Sequence, residues 1–502
     1  MESNPGFGFT NMVVLVVYLL FMLVFGSSFI RKSGKSSDAF FKAEGSLPGW
    51  AVGMSIFATA VSSITFMSTP EQTFISDWSY IVGSACIIVV IPILIAYFVP
   101  FFRKLQVTSA YEYLEERFDP VVRTLSSVLF VLYHLGRISV VVYLPVLAVA
   151  SVTDINPVLI AVAVSLVCII YTLLGGMEGV IWSDTIQGFI LLAGSILILL
   201  MAIFKIDGGL SEISNTIVSE GKFFSASNLD MSDLSDYVPL IFIGQLVSFL
   251  YQYGCSQDMV QRFVTSKSMK ETKKSLWLTY GLCIVFFPIF YAIGSVLYVY
   301  YGQNGGLPAG VNTSAVVPFF ILTELPAGIA GLIIAAIFAA SQSTVSSSLN
   351  SISACLVVDI KRRFFEDKLK NVSEVSIARW IIIVTGLFGL LVTVYFTAGN
   401  SSQTWDIILA IGGLFGVPIA AVFTLGIFTK RANGKGTLIG LIAGIVLAII
   451  TDAKNISPLL TATVAFIVTF LIGYFLSLAF PDSDKNIRGL TYKTRDITYA
   501  KN

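Results

Sequence analysis

Runs of about 20 apolar residues recur along this chain, and each is long enough to cross roughly 30 Å of hydrocarbon as a helix. Lipid offers no partners to exposed backbone groups, so segments of this kind must satisfy their own hydrogen bonds by coiling. With 56% hydrophobic and only 12% charged residues over 502 positions, the chain lacks the polar surface that a soluble domain of its size needs. The alternating pattern of a membrane β-barrel is missing. Thirteen spans are expected, at 9–30, 48–70, 79–101, 122–152, 156–174, 177–204, 238–258, 275–301, 327–350, 375–398, 404–428, 436–452 and 457–480. The opening MESNPGF lacks positive charge and is followed by a full span, so no cleavable signal peptide is expected.

Lys and Arg set the orientation. The first, third, seventh, ninth and eleventh connections, with the tail and the adjoining span ends, hold 27 of the 31 basic residues. The opposite side holds only Lys205, Lys222 and Lys454, and Arg137 falls inside span four. The positive-inside rule then puts the amino terminus outside and the carboxyl terminus in the cytoplasm. The five cysteines lie in or at the edges of spans without metal-ligand spacing, so they read as small buried hydrophobes rather than as a disulfide or zinc framework. A net charge of +1 suggests no nucleic-acid role, and the longest polar connection, roughly 205–237, is too short for a soluble domain.

The polar residues inside the spans carry the most information, because they are costly there. The first group is SIFATAVSSITFMSTP, residues 55–70, with Ser62, Ser63 and Thr65 between Gly53 and Pro70. A helix break here would free carbonyls around Ala58 and Val61, which suit a small hard cation such as Na⁺, while half-helix amino ends suit a carboxylate. The plain alternative is a helix-packing surface. The second is AAIFAASQSTVSSSLNSISA, residues 335–354, where Ser343, Ser347 and Ser351 share one helix face and Ser346 neighbours Ser343. Its hydroxyls can replace water around a cation, or can simply pack. The third is Asp184, about two turns into span six. Unless it is close enough to the interface to stay wet, it must pair, protonate or bind a cation.

The fourth is Arg137 in YHLGRISVVVYLP, with no acid within a turn of it. It keeps its charge, so either a distant acid or a ligand's anion must balance it, and a carboxylate matches its fork of donors. His134, the only histidine, reads as a satisfied interior residue rather than a proton relay. Weaker features are Trp78 and Tyr80, which read as interfacial anchors, and Gln257, Gln261 and Arg262, for which an interfacial position is an even alternative. Glu115 and Glu116 read as solvated loop. A cation-binding face beside a buried arginine points to coupled transport of an anion. A cation channel fits badly with Arg137, which would repel the ion, and a membrane enzyme lacks any HExxH or second histidine.

The strings WAVGMSIFATAVSSITFMS, SDWSYIVGS, FFRKLQVTSAYEYLEERFD, GRISVVVYLPVLA, GGMEGVIWSDTIQG, SQDMVQR and AAIFAASQSTVSSSLNSISA together resemble the sodium:solute symporter family, and most closely its bacterial sodium/sialic acid branch. The resemblance implies an all-α membrane protein of the LeuT type with an inverted repeat of five plus five helices. One polytopic domain results: an extra helix and loop at 1–47, repeats at 48–204 and 238–428, two further helices at 429–480 and a cytoplasmic tail at 481–502. It implies no enzyme activity. It implies sodium-coupled uptake of sialic acid by a monomer in the bacterial cytoplasmic membrane, with breaks in spans two and seven.

One sodium site would use carbonyls of Ala58, Val61 and Ala340 with hydroxyls of Ser343 and Thr344. A second would use Asp184, Ser343, Ser346 and Ser347. Arg137 would take the substrate carboxylate, helped by Ser62, Ser63 and Thr65, with Tyr80 and Ser84 near the sugar. The branch can carry a hydroxyl where this chain has Ala60 and an amide where it has Ser84. A related sialic acid, a broader substrate range, another carboxylate such as proline, or a non-transporting membrane sensor therefore stay open.

Overall fold

The computed structural model describes residues 6–224, 226–231, 237–399, 412–454, 456–480 and 487–494. Among these every regular element is a helix, apart from an isolated bridge between Leu47 and Ser266. The main helices are α1 (Phe9–Ser27), α2 (Gly49–Ala60), α3 (Ser63–Ile75), α4 (Ile81–Leu105), α5 (Pro120–Ala150), α6 (Pro157–Phe204) and α7 (Val238–Cys255). After them come α8 (Gln257–Thr265), α9 (Met269–Gln303), α10 (Ile329–Cys355), α11 (Glu374–Gly399), α12 (Val417–Phe428), α13 (Gly434–Ala453) and α14 (Pro458–Ala479). Ten helices among the described residues are long and apolar enough to cross a membrane, and the bent pair α2–α3 makes an eleventh.

The expected fifth and sixth spans run together in α6, which is 48 residues long but breaks at Gly176. There φ is +56°, a backbone conformation that only glycine adopts without strain. The expected eleventh span ends in α12, and its opening residues 404–411 lie outside the described residues, as does most of the tail.

Local chemistry fixes the helix starts. Pro120 and Pro157 occupy first-turn positions where a missing N–H costs nothing. The Asp119 carboxylate accepts from the amides of Val121 and Val122, and Asn156 caps Val158 in the same way. Ser268 and Asn433 cap α9 and α13.

Packing then places α10 at the centre. All its residues except Ile329 and Leu332 are buried, and it touches α1, α2, α3, α5, α6, α8 and α11. A helix covered on every side needs small side chains, and its serines supply them. Several return their hydroxyl protons to carbonyls one turn back, as Ser348 does to Thr344 at 2.8 Å and Ser351 to Ser347 at 2.6 Å. All five cysteines are buried and free.

The side bearing the basic loops is tied shut. Arg123 bridges Glu115 and Asp359, each at 2.7 Å, and Arg363 reaches the same Glu115 at 2.9 Å. Burial disfavours a charge on Glu115, but these guanidiniums outweigh it and hold its carboxyl below the usual range. Glu115 is thus a structural ion-pair member rather than the solvated loop residue expected. Arg117 is fully enclosed and donates to the carbonyls of Gly426, Thr429 and Ala432.

On the opposite side α3 lies against α9 so closely that a Cβ on Gly294 would overlap the Thr73 hydroxyl and the Pro70 carbonyl oxygen. Backbone cannot yield cheaply, so Gly294→Ala should cost roughly 1–3 kcal/mol. A thermal midpoint several degrees lower in detergent, followed by tryptophan fluorescence, is the expected outcome. An unchanged midpoint would show that the two helices are free to part.

Candidate functional site

The stretch around Val61 does break the membrane helix. The axis turns by 53° between α2 and α3. Val61 (φ −87°, ψ 83°) and Ser62 (φ −76°, ψ 173°) leave helical geometry, which strands the last carbonyls of α2 without intrahelical partners. Each stranded group has found a side-chain donor. Ala58 O accepts from the Ser343 hydroxyl at 2.8 Å. Thr59 O accepts from Thr344 at 3.2 Å and from Arg137 Nη2 at 3.3 Å. Ala60 O accepts from Gln252 Nε2 at 3.5 Å. One break thereby joins α2 to α5, α7 and α10. A second break follows α7, whose last residues, Leu250–Cys255, widen into a π-turn before Ser256 extends and α8 begins.

Beside the first break lies a cavity of about 420 Å³. Ser62, Thr65, Tyr80, Ser84 and Arg137 all line it, as does Ala60. Ser63 is not among its walls: fully buried, it donates to Val141 O at 2.8 Å and pins α3 to α5. The lining climbs α3 through Ser68, Thr69 and Gln72 to Ile75, so the cavity extends away from the basic loops. Tyr80 and Ser84 thus face the cavity, and Ser84 Oγ lies 3.1 Å from the Tyr291 hydroxyl. Trp78 instead donates to Ser295 Oγ at 2.8 Å.

Sequence reasoning missed the second wall, which includes Ser248 and Gln252 on α7 and Phe287 and Tyr291 on α9. The amide of Gln252, in the middle of an apolar span, was the available signal.

Arg137 is 6% exposed. Its distant acid is Asp258 on α8, with Nη1 and Oδ2 3.6 Å apart. That is a charge contact, too long for a hydrogen bond. Both atoms are buried and lack a hydrogen-bond partner, so the guanidinium in the cavity wall has an unspent donor, which in this state faces Asp258. His134 is fully buried, with its ring nitrogens 2.8 Å from Ser348 Oγ and 3.2 Å from Ser256 Oγ, as an interior residue should be.

Two oxygen-rich clusters flank α10. In the first, the Ser343 hydroxyl contacts the Ala58 and Ala340 carbonyls at 2.8 and 3.1 Å, and Thr344 contacts Ala340 O at 3.2 Å. Val61, the expected third carbonyl donor, is the residue at which the helix breaks. Turning the hydroxyl protons outward would leave these oxygens free to hold a hard cation.

In the second, Asp184 accepts from Ser55 at 2.7 Å, Thr59 and Ser346 at 3.4 Å and Ser347 at 3.5 Å. Its strongest partner is Arg262, whose Nη2 lies 2.7 Å away. Arg262, Gln257 and Gln261 are buried rather than interfacial. Gln257 pairs with Ala110 N and Thr108 O, and Gln261 donates to Phe41 O and Asn350 Oδ1. The polar run of α8 folds into the molecule because Asp184 and the loop ends need partners there. Among the described residues no group of three or more His, Cys, Asp or Glu converges as metal ligands. Hydroxyls, carbonyls and one carboxylate suit an alkali ion better than a transition metal.

A model of the sodium:solute symporter family matches residues 40–444. The sodium/sialic acid symporter SiaT of Proteus mirabilis is 46% identical over 442 residues, covering 88% of this chain and 89% of that protein. A solved substrate-bound, outward-open Na⁺-coupled sialic acid symporter superposes with a TM-score of 0.90 at 42% identity, over 96% of this chain and all of the other. The nucleobase-cation-symport-1 transporter Mhp1, 15% identical, covers 88% of this chain and 94% of its own with a TM-score of 0.57, a likeness of fold alone.

The geometry separates two neighbouring hydroxyls. Ser63→Ala should lower stability by about 1 kcal/mol while changing the affinity of a cavity ligand less than about twofold. Thr65→Ala should do the reverse. Melting curves and calorimetric titration check both, and a large affinity loss in Ser63→Ala would place its hydroxyl in the binding site after all.

Proposed function

Because the chain belongs to the sodium:solute symporter family, we propose that it is a secondary transporter that takes up sialic acid together with sodium by alternating access. The relatives at 46% and 42% identity carry that substrate, and the LeuT-type all-α fold is shared with them. The observation that carries the reading is Arg137, a permanent cation with a spare donor, set in the wall of a cavity of about 420 Å³. A carboxylate is the ligand group that best answers it. The hydroxyls and amides of Ser62, Thr65, Gln72, Ser248 and Gln252 suit a polyhydroxylated ring and its side chains. Such a wall exceeds what a compact zwitterion without hydroxyls, such as proline, can use.

Sodium would sit at the two clusters on α10. In the first it would bridge Ala58, Val61 and Ala340 to Ser343 and Thr344, holding the broken α2–α3 against α10. In the second it would meet Asp184, with Ser343, Ser346 and Ser347. The break at Val61 and the break at Ser256 fall in the first helix of each proposed repeat, 48–204 and 238–428. With the amino terminus outside and the basic loops in the cytoplasm, the present state has its cavity outward and its inner side closed. Sodium bridging α10 to the broken helix, with a carboxylate answering Arg137, would then let the repeats rock.

Two Na⁺ with one monoanion would move one net charge, driven by about 2.3 kcal/mol per 100 mV beyond the sodium gradient. Uptake of labelled N-acetylneuraminate into proteoliposomes should therefore need sodium and rise with a negative-inside potential. Sodium-independent uptake would contradict the mechanism, and binding without flux would make the protein a sensor. In the same vesicles proline and neutral sugars should compete poorly. Arg137→Ala should weaken acidic-sugar binding by about 100-fold or more while the protein still melts cooperatively. Undiminished affinity would remove the carboxylate assignment.

A further inference from the structure

Helix α8 carries an acid and a base, Asp258 and Arg262, four residues apart and hence on one face. Each contacts a charged group to which cargo is assigned above, Asp258 facing Arg137 and Arg262 facing Asp184. Arg262 is fully buried. Its Nη2 lies 2.7 Å from Asp184 Oδ2, 2.8 Å from Thr59 Oγ1 and 2.5 Å from Ser347 Oγ, and its Nε lies 2.8 Å from Ser55 Oγ. Asp184 and Ser347 are two of the ligands assigned to the second sodium ion. A guanidinium and a sodium ion bring the same charge to Asp184 Oδ2 and Ser347 Oγ, so each opposes the binding of the other there. Asp258 mirrors this: Oδ2, without a hydrogen bond, faces the unpartnered Nη1 of Arg137 at 3.6 Å. It supplies beside Arg137 the negative charge that a substrate carboxylate would bring.

We propose that α8 is a tethered stand-in for the cargo pair, with Arg262 competing against the second sodium ion for Asp184 and Asp258 competing against the substrate carboxylate for Arg137. This rests on the sodium and carboxylate assignments above. Its physical advantage is that no charge is left bare in either state. Without cargo the helix neutralises both sites. With cargo, the displaced acid and base lie one turn apart, acid on the amino-terminal side, in the spacing that lets them pair with each other. Because both competitors sit on one short helix that follows the hinge at Ser256, sodium that turns Arg262 away also loosens the hold of Asp258 on Arg137. Sodium and substrate then favour each other reciprocally.

The test is binding of N-acetylneuraminate to the purified full-length protein across a sodium titration, in wild type, Arg262→Gln, Arg262→Lys, Asp258→Asn and Asp184→Asn. Arg262→Gln should lower the half-saturating sodium concentration by about fivefold or more, and Arg262→Lys, which keeps the charge, should lower it much less. Asp258→Asn should tighten substrate binding at low sodium and leave it unchanged at high sodium, shrinking the sodium-dependent gain in affinity. A half-saturating concentration that is unchanged or raised in Arg262→Gln overturns the competition and leaves Arg262 a structural residue. If that variant does not fold, Asp258→Asn decides, and an undiminished sodium-dependent gain overturns the proposal. Asp184→Asn separates the levels: its Hill coefficient for sodium should fall towards one, and an unchanged coefficient would remove the second sodium site itself.

Discussion

A backbone carbonyl inside a membrane must find a donor within the protein, and the break between α2 and α3 turns that requirement into a site. A straight helix would have satisfied Ala58, Thr59 and Ala60 internally. Interrupted at Val61, these residues accept from Ser343, Thr344, Arg137 and Gln252, which belong to three other helices. Ala58 O, which accepts from Ser343, is also one of the oxygens of the proposed first sodium site. On that proposal ion binding and helix docking would share this atom and the Ser343 and Thr344 hydroxyls, which is a physical basis for coupling them.

Charge neutrality is the second constraint. Arg137, Asp184, Asp258 and Arg262 are all buried, two of each sign, and ion pairs across helix boundaries join them. Desolvation makes any one of them alone expensive, whereas the set is tolerable. The two pairs are unequal. Arg262 and Asp184 meet at hydrogen-bond distance within a ring of hydroxyls, while Arg137 and Asp258 face each other across 3.6 Å. Of the loose pair Arg137 lines the cavity and Asp258 lies buried behind it, whereas neither member of the tight pair is in the cavity wall.

The two sides of the molecule differ in the same spirit. One is sealed by Arg123, Glu115, Asp359 and Arg363, and by Arg117 on three carbonyls. The other is parted by the cavity that climbs α3. A transporter that alternates must exchange these conditions, and because the Asp359 carboxylate and the Arg117 guanidinium are buried, opening this side must give each of them a new partner or water.

Hydropathy, the hydroxyl clusters and the lone Arg137 were legible without coordinates, because the membrane penalises polar atoms so heavily that each one in a span reports a purpose. The helical class, the serine face of α10 and the interior place of His134 follow from that penalty, while the break near Val61 was a conditional reading that the family resemblance placed. What the linear chain left open was who answers whom across helices. Asp258 lies 121 positions from Arg137 and Arg262 lies 78 from Asp184. Nothing in local periodicity distinguishes a buried α8 from a span end at the interface. Ser63 shows the same limit on a smaller scale: its neighbours face the cavity, yet rotation about the helix axis hands its hydroxyl to Val141. The chain itself set which groups must be satisfied. Packing alone chose their partners, because pairing depends on which helix faces which, and that is settled only when all of them are in place.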